Sequence, residues 1–154
     1  RLKMVKLDLM DSEDYQKYLT TAIESYAKEK VLSGNWSEEE SVKKAKEEYI
    51  KLLPKGEKTE KNFIYTILKD DKEIGVIWFA QKSQDEGFIY DINILEKHRG
   101  FGYAKDTMKQ IEGVGLKLGI RKIGLHVFGQ NKKARGLYEK LGYQDTNVLM
   151  TKNI

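Results

Sequence analysis

Three features common in other proteins are missing from this chain: cysteine, a metal-binding pattern and a long apolar run. No cysteine occurs in the 154 residues, which excludes disulfides, cysteine-based metal sites and an acyl-cysteine intermediate. The two histidines, His98 and His126, are far apart and have no partner pattern, so the sequence predicts no metal site. No apolar run approaches the roughly 18 residues of a membrane span, and the first residues lack the apolar core of a signal peptide. We therefore expect a cytoplasmic protein.

Charge is distributed unevenly along the chain. Residues 1–60 carry 12 Lys/Arg and 13 Asp/Glu, whereas residues 61–154 carry 16 and 11, a net charge of +5. A basic half suits a ligand with several phosphates, although a solvated surface explains any single lysine equally well. Aromatic residues do not alternate with the basic ones, and no known nucleic-acid-binding module is visible, so nucleic acid is not favoured as a partner.

Hydrophobic periodicity predicts one α+β domain over residues 1–154. Two amphipathic helices follow a first strand at residues 3–9. Asp11 or Ser12 caps the first helix, and a Ser-x-x-Glu box from Ser37 to Glu40 begins the second. Strands are then predicted over 63–68, 74–80, 88–94, 123–128 and 148–152, with helices over 103–118 and 132–141. The predicted order is β-α-α-β-β-β-α-β-α-β, without a linker or repeat.

A glycine turn lies between the predicted strand at 88–94 and the helix that follows it. It reads Arg99-Gly100-Phe101-Gly102-Tyr103-Ala104. The first N–H groups of a helix have no intrahelical partner, and the helix dipole adds partial positive charge at that end. Glycine lets the backbone approach an anion closely, and Arg99 and Lys105 add ionic attraction. The pattern therefore predicts a phosphate-binding turn.

Two common phosphate-binding motifs do not fit this turn. A P-loop requires Gly-Lys-Ser/Thr, and a dinucleotide-binding turn requires a small residue where Lys105 stands. Arg-x-x-Gly-x-Ala before a helix instead resembles the acetyl-CoA signature of the GNAT superfamily of N-acetyltransferases. A second segment resembles the closing helix of that family, and it reads Asn131…Ala134…Leu137-Tyr138-Glu139-Lys140-Leu141-Gly142-Tyr143. The resemblance covers residues 62–154 well and the first 60 by general layout, and it is nearest to small bacillus-type members.

The resemblance implies the GNAT fold, a mixed and mostly antiparallel central sheet flanked by helices, with acetyl-CoA as co-substrate. It also implies that two strands separate beside the turn and that the pantetheine arm enters between them. The implied cofactor-binding residues are Ile92, Asn93, Ile94, Arg99, Gly100, Phe101, Gly102, Tyr103, Ala104, Lys105, Asn131, Ala134 and Tyr138. For Asn131, a helix N-cap is the alternative interpretation.

Tyr138 and Asp91 are the predicted catalytic residues. By resemblance the Tyr138 hydroxyl donates a proton to the leaving CoA thiolate, although a tyrosine packed on the sheet would also explain its position. A lysine-like amine has a pKa near 10.4 and attacks only when neutral, so another group must accept its proton. Asp91, Glu86 in a predicted turn and His126 in a predicted strand are the candidates, with a core role the simpler explanation for His126. Because cysteine is absent, direct attack in a ternary complex is favoured.

The acceptor pocket is predicted between the first two helices and the turn at residues 83–87. Five aromatic residues fall on those helices or between them, and helical spacing makes core packing the explanation for most of them: Tyr15, Tyr18, Tyr26, Trp36 and Tyr49. The prediction is therefore an N-acetyltransferase of a small-molecule or peptide amine, with a homodimer suggested only by analogy. A non-catalytic module that senses acyl-CoA is the alternative, followed by a nucleotide-binding or nucleic-acid-binding protein.

Overall fold

A five-stranded mixed sheet lies at the centre of the part of the chain that the computed structural model describes, residues 4–154. The strands lie in chain order: β1 Lys6–Leu9, β2 Asn62–Lys69, β3 Lys72–Gln81, β4 Glu86–Ile94 and β5 Lys122–Leu125. The first four are antiparallel neighbours, and β5 is parallel to β4. The α-helices are α1 Ser12–Leu32, α2 Glu38–Leu52, α3 Tyr103–Lys117 and α4 Lys132–Lys140.

Polar and acidic side chains cap the N-termini of α1 and α2. Asp11 Oδ1 accepts a hydrogen bond from the backbone N–H of Asp14 at 2.8 Å at the start of α1. The backbone N–H of Ser37 donates to Glu40 Oε2 at 3.3 Å at the start of α2, which confirms the predicted capping box. Thus the local signals in the first 60 residues position both helices of one layer.

The sheet separates two hydrophobic cores. Because successive residues of a strand point to opposite faces, Trp78 packs under α1 and α2, whereas Phe79 packs under α3. The first core lies between the sheet and α1 and α2, and its buried residues include Tyr18, Ala45, Tyr49 and Ile64. The second lies on the α3 and α4 face, and its buried residues include Ile67, Ile77, Met108 and Ile111. The two sets share no buried residue.

The predicted strand at residues 148–152 is wrong, because residues 143–154 form neither helix nor strand. Val148, Leu149 and Met150 are 70%, 86% and 84% exposed, so nothing in this chain pairs with them. The predicted strand at 123–128 is also too long, because β5 ends at Leu125, where β4 stops pairing with it. The first strand begins at Lys6 rather than Lys3, which lies outside the described residues.

No helix within residues 4–154 is both long and apolar enough to cross a membrane.

Candidate active site

An open strand edge lies where β4 and β5 diverge. The two strands are paired from Glu86, opposite Lys122, to Ile89, opposite Leu125. Beyond Ile89, residues 90–94 of β4 have no neighbouring strand on the β5 side within the described part of the chain. This is where the predicted separation falls. The Arg99 guanidinium reaches back to the open strand, donating from Nε to the Ile94 carbonyl at 2.6 Å and from Nη2 to Asn93 Oδ1 at 3.1 Å. Arg99 therefore ties the glycine turn to the end of β4.

The glycine turn forms an open cradle at the start of α3. Gly100 and Gly102 both have φ of +86°, in the left-handed region that favours glycine. No heavy atom lies within 4 Å of the position that a Cβ on Gly100 would take. In α3 the N–H of Asp106 donates to the Gly102 carbonyl at 3.1 Å, so the N–H groups of residues 103–105 precede the first intrahelical bond. The turn therefore combines open space at Gly100 with the first N–H groups of α3.

A buried carboxylate supports this cradle from below. Asp106 is 2% exposed, and its Oδ2 accepts hydrogen bonds from the backbone N–H groups of Met4 and Val5 at 2.9 and 3.1 Å. Gln110 Nε2 donates to the same oxygen at 3.0 Å. Asp106 therefore fixes the first turn of α3 against the segment that precedes β1. Sequence reasoning missed this residue, because an acid in the first turn of a helix is common without any tertiary role.

A cavity of about 950 Å³ extends from the strand gap to the space between α1 and α2. Arg99, Asn131 and Tyr138 line it on the side of the glycine turn and α4. The cavity is lined on the helical side by Tyr18, Tyr26 and Tyr49. Three of the five aromatic residues of the first two helices and their connection therefore contact the cavity, although core packing was expected for most of the five. Tyr15 and Trp36 instead pack against Tyr18 and Tyr26 at ring distances of 6.3 and 5.6 Å.

Strand aromatics, rather than the turn at residues 83–87, complete the cavity wall. Trp78 on β3 and Phe88 and Tyr90 on β4 line it, and the Trp78 and Tyr90 rings stack at 4.5 Å. Sequence reasoning missed these three residues, because alternation along a strand does not reveal which face meets a cavity. Glu86, predicted in a turn, is the exposed first residue of β4, at the end of the strand away from the gap.

Asp91 projects into the cavity in a network of tyrosines. Its Oδ2 accepts a hydrogen bond of 2.7 Å from the Tyr18 hydroxyl, and Tyr49 lines the same cavity. Burial raises the pKa of Asp91 to about 6, although the bond from Tyr18 favours the carboxylate and opposes that rise. Asp91 is therefore ionised at neutral pH and able to take up a proton.

Tyr138 lies on the other side of the gap, on α4. Burial and the nearby Asp91 charge raise the pKa of the Tyr138 hydroxyl to about 12, so it keeps its proton at neutral pH. Its ring packs edge-on against Tyr143, with centroids 6.0 Å apart. The cavity thus holds a proton acceptor on β4 and a proton donor on α4.

Asn131 and His126 occupy the loop region between β5 and α4. Asn131 Oδ1 accepts a hydrogen bond from the Ala134 backbone N–H at 3.2 Å, which is the N-cap arrangement, and its Nδ2 remains available to a ligand in the cavity. His126 lies beyond the end of β5 and is exposed, so its predicted place inside a strand is wrong. Burial of part of the ring and the Lys30 charge lower the pKa of His126.

A further hydrogen bond joins the loop after β5 to α1. Gln130 Nε2, in the loop after β5, donates to Glu29 Oε2 on α1 at 3.1 Å. Within residues 4–154, no group of three or more His, Cys, Asp or Glu side chains is arranged to hold a metal ion.

Comparison with known proteins identifies the family of this chain. The model of the acetyltransferase (GNAT) family matches residues 17–143. The chain belongs to the GNAT family and is an acetyltransferase. It is similar to the uncharacterized N-acetyltransferase YycN of Bacillus subtilis, with 37% identity over 97% of this chain and 99% of that protein. It is also similar to the uncharacterized N-acetyltransferase YdgE of the same organism, with 30% identity over 96% and 97%.

Solved structures confirm the GNAT fold. The crystal structure of YycN has a TM-score of 0.93 and 36% identity, covering 97% of this chain and 98% of that chain. The PaiA N-acetyltransferase of Thermoplasma acidophilum, in complex with coenzyme A, has a TM-score of 0.70 and 19% identity, covering 94% and 92%. At that level of identity the second likeness shows the fold alone.

Proposed function

We propose that this enzyme transfers an acetyl group from acetyl-CoA to a primary amine by direct attack in a ternary complex. One observation carries the proposal. A single cavity includes both the strand gap beside the glycine turn and a part lined by Tyr26, Trp78 and Tyr90, which we call the aromatic chamber. Asp91 and Tyr138 both line this cavity. Donor and acceptor can therefore meet there without a covalent enzyme intermediate, for which the chain offers no cysteine.

The donor site is assigned to the gap and the cradle. The N–H groups of residues 100–105 would hold the pyrophosphate, and the open edge of β4 at residues 92–94 would bind the pantetheine arm. Lys105 is exposed beside the cradle and would add ionic attraction. PaiA, which shares this fold, was solved in complex with coenzyme A, which supports a CoA thioester as the donor.

Asp91 is assigned as the general base. An alkyl ammonium has a pKa near 10.4, so loss of its proton at pH 7 costs about 4.6 kcal/mol. An ionised carboxylate in the cavity can take that proton directly or through water, either as attack begins or as the new N–C bond forms. The nitrogen lone pair then bonds to the thioester carbonyl carbon, and the C–S bond breaks.

Tyr138 is assigned as the hydrogen-bond donor to the departing sulfur. A thiol of this type has a pKa near 8.5, below that of the tyrosine, so complete proton transfer to the thiolate is uphill. Protonation of Asp91 removes the negative charge that helps raise the pKa of Tyr138. The proton taken from the amine therefore makes Tyr138 a better acid at the moment when the thiolate leaves.

The aromatic chamber suits the acceptor. Tyr26, Trp78 and Tyr90 present ring faces and edges to the cavity, and aromatic faces attract ammonium groups and pack against alkyl chains. We assign an amine carried on a small molecule or on a peptide end or side chain.

The test is thiol release from acetyl-CoA in the presence of separate amines, peptides, polyamines and aminoglycosides. The chain contains no cysteine, so every thiol detected comes from CoA. Release that depends on one class of amine, with the acetylated amine seen by mass spectrometry, would support the proposal. Tight acetyl-CoA binding without release for any acceptor would favour the sensing module, and absence of binding would contradict the assignment of the cradle.

A further inference from the structure

A hydrogen bond from α1 holds the Asp91 carboxylate at the wall of the cavity. The Tyr18 hydroxyl donates to Asp91 Oδ2 at 2.7 Å, whereas no residue within 4–154 donates a hydrogen bond to Oδ1. At Asp91, β4 pairs with Trp78 of β3 on one side only, because its pairing with β5 ends at Ile89. The helix α1 therefore holds this side chain where the sheet is open beside it.

The Tyr18 hydroxyl is fixed in place and keeps its proton. Tyr18 is 7% exposed within the first core, and its ring packs against Tyr15 with centroids 6.3 Å apart. Burial and the Asp91 charge raise the pKa of Tyr18 well above its usual value. At neutral pH Tyr18 can therefore donate a hydrogen bond to the carboxylate, but it cannot itself take up the proton of an amine.

No ion pair between residues of the described part of the chain involves Asp91. Burial and the Asp91 charge raise the pKa values of two further tyrosine hydroxyls near it, Tyr49 on α2 and Tyr138 on α4. The neighbouring strand β3 presents the neutral Trp78, and Arg99 lines the cavity without pairing with Asp91. The hydrogen bond from α1 is therefore what opposes the effect of burial on this carboxylate.

We propose that Tyr18 is a positioning residue, which holds Asp91 by Oδ2 and leaves Oδ1 as the oxygen that receives the proton of the acceptor amine. The inference rests on the proposed function, in which Asp91 is the base. The N–H bond of the ammonium breaks as an O–H bond forms at Oδ1, and the electron pair left on nitrogen attacks the thioester. Because a hydrogen bond to a carboxylate stabilises its charged form, the same contact keeps the base ionised at neutral pH.

The pKa of Asp91 tests this contact without any need for turnover. The chemical shift of the carbon-13-labelled carboxyl carbon is followed across the pH range in the unmodified protein and in Tyr18→Phe, and Asp91→Asn assigns the signal. Tyr18→Phe is expected to raise the midpoint by about 1–2 pH units, because a hydrogen bond to a charged group is lost. Tyr15→Phe, which removes a hydroxyl one turn earlier on α1, is the matched control and should leave the midpoint unchanged. An unmoved midpoint in Tyr18→Phe would overturn the proposal.

The pH profile of kcat/KM tests the positioning role. The unmodified enzyme is expected to lose activity below about pH 6, and Tyr18→Phe below a pH that is about 1–2 units higher. At pH 7 the variant should therefore lose about two- to tenfold in kcat/KM, and it should recover toward the unmodified value at pH 9. An equal loss at every pH would indicate a purely structural role and would overturn the proposal.

Failure of the proposed function gives a different result. Full activity of Asp91→Asn would overturn the assignment of the base, and the positioning role with it. An active enzyme that requires Asp91, but whose pH profile is the same in Tyr18→Phe, would overturn the role of Tyr18 alone.

Discussion

Asp91 is a residue at which stability and the proposed catalytic role oppose each other. Burial raises its pKa to about 6 from 3.8, so the native state holds the proton more tightly than the unfolded chain does. Stability therefore falls as the pH rises from about 4 to 6, because an acid that must ionise in the fold costs free energy there. At pH 7 this cost is about 3 kcal/mol, at 1.36 kcal/mol for each pKa unit.

The Asp91→Asn variant is expected to be more stable and nearly inactive. Asparagine keeps the shape and still accepts the hydrogen bond from Tyr18, but it carries no charge. We expect a gain of about 1–3 kcal/mol in the free energy of unfolding at pH 7, little gain at pH 4, and a loss of about 10²–10⁴ in turnover. Urea unfolding at the two pH values and steady-state kinetics measure these effects. An equal gain at both pH values would mean that packing, rather than charge, is responsible.

Tyr138→Phe is expected to lower kcat by about ten- to a hundredfold, with little change in the KM for acetyl-CoA. The effect is moderate because a CoA thiolate is already a fair leaving group, and the phenyl ring retains the packing against Tyr143. Steady-state kinetics at saturating acetyl-CoA provide the measurement, with Tyr143→Phe as the control for removal of a nearby hydroxyl. An unchanged kcat would exclude Tyr138 as the donor to sulfur.

At the scale of elements, the strand–turn–helix unit from β4 to α3 is the proposed binding site of the donor. Gly100→Ala places a methyl group in the open cradle and forces a non-glycine residue to φ of +86°. We expect at least a tenfold rise in the Kd for acetyl-CoA and a loss of about 1 kcal/mol in stability. Calorimetric titration and thermal unfolding measure the two quantities.

Gly113→Ala is the matched control for that variant. Gly113 lies in the interior of α3, where no heavy atom approaches the position of an added Cβ and the backbone is helical. Alanine there should stabilise the protein by about 0.5–1 kcal/mol and leave acetyl-CoA binding unchanged. If both glycine variants weakened binding equally, general disturbance of α3 would explain the loss and the cradle would not.

The elements predicted from sequence are those with local signals. These signals act within a few residues of the chain, and they are Asp11, the Ser37–Glu40 box and the two glycines of the turn. The starts of α1 and α2 and the glycine turn form as predicted. The elements that failed depend on distant partners. Residues 148–152 have the alternation of a strand but no neighbour in this chain, and β5 ends early because β4 turns away from it.

The candidate site follows the same division. The glycine turn, Asn131 and Tyr138 lie in motifs and could be proposed from the sequence, whereas the place of Trp78 and Tyr90 in the cavity wall could be recognised only once β3 and β4 were paired. The bond from Tyr18 to Asp91 joins residues 73 positions apart, and no pattern of spacing along the chain predicts it. Its existence depends on how α1 crosses the sheet.

At the scale of the whole molecule, charge favours the donor. Residues 61–154 carry a net charge of +5, Arg99 and Lys105 lie at the two ends of the cradle, and acetyl-CoA, the proposed donor, is a polyanion. We expect the KM for acetyl-CoA to rise several-fold between 20 and 500 mM NaCl, because salt screens charges that are exposed to water. S-acetylpantetheine, which lacks the phosphates, is the control donor, and its KM should not change. An equal salt effect on both donors would show that the charges act elsewhere.

The separation of the two cores by the sheet bears on how such enzymes diverge. The core under α1 and α2 borders the aromatic chamber, and the core under α3 supports the glycine turn, with no buried side chain in common. Mutations that reshape the chamber can therefore accumulate in one lineage without repacking the other core. Descendants of one ancestor can then differ in the shape of the chamber while keeping the same support for the glycine turn.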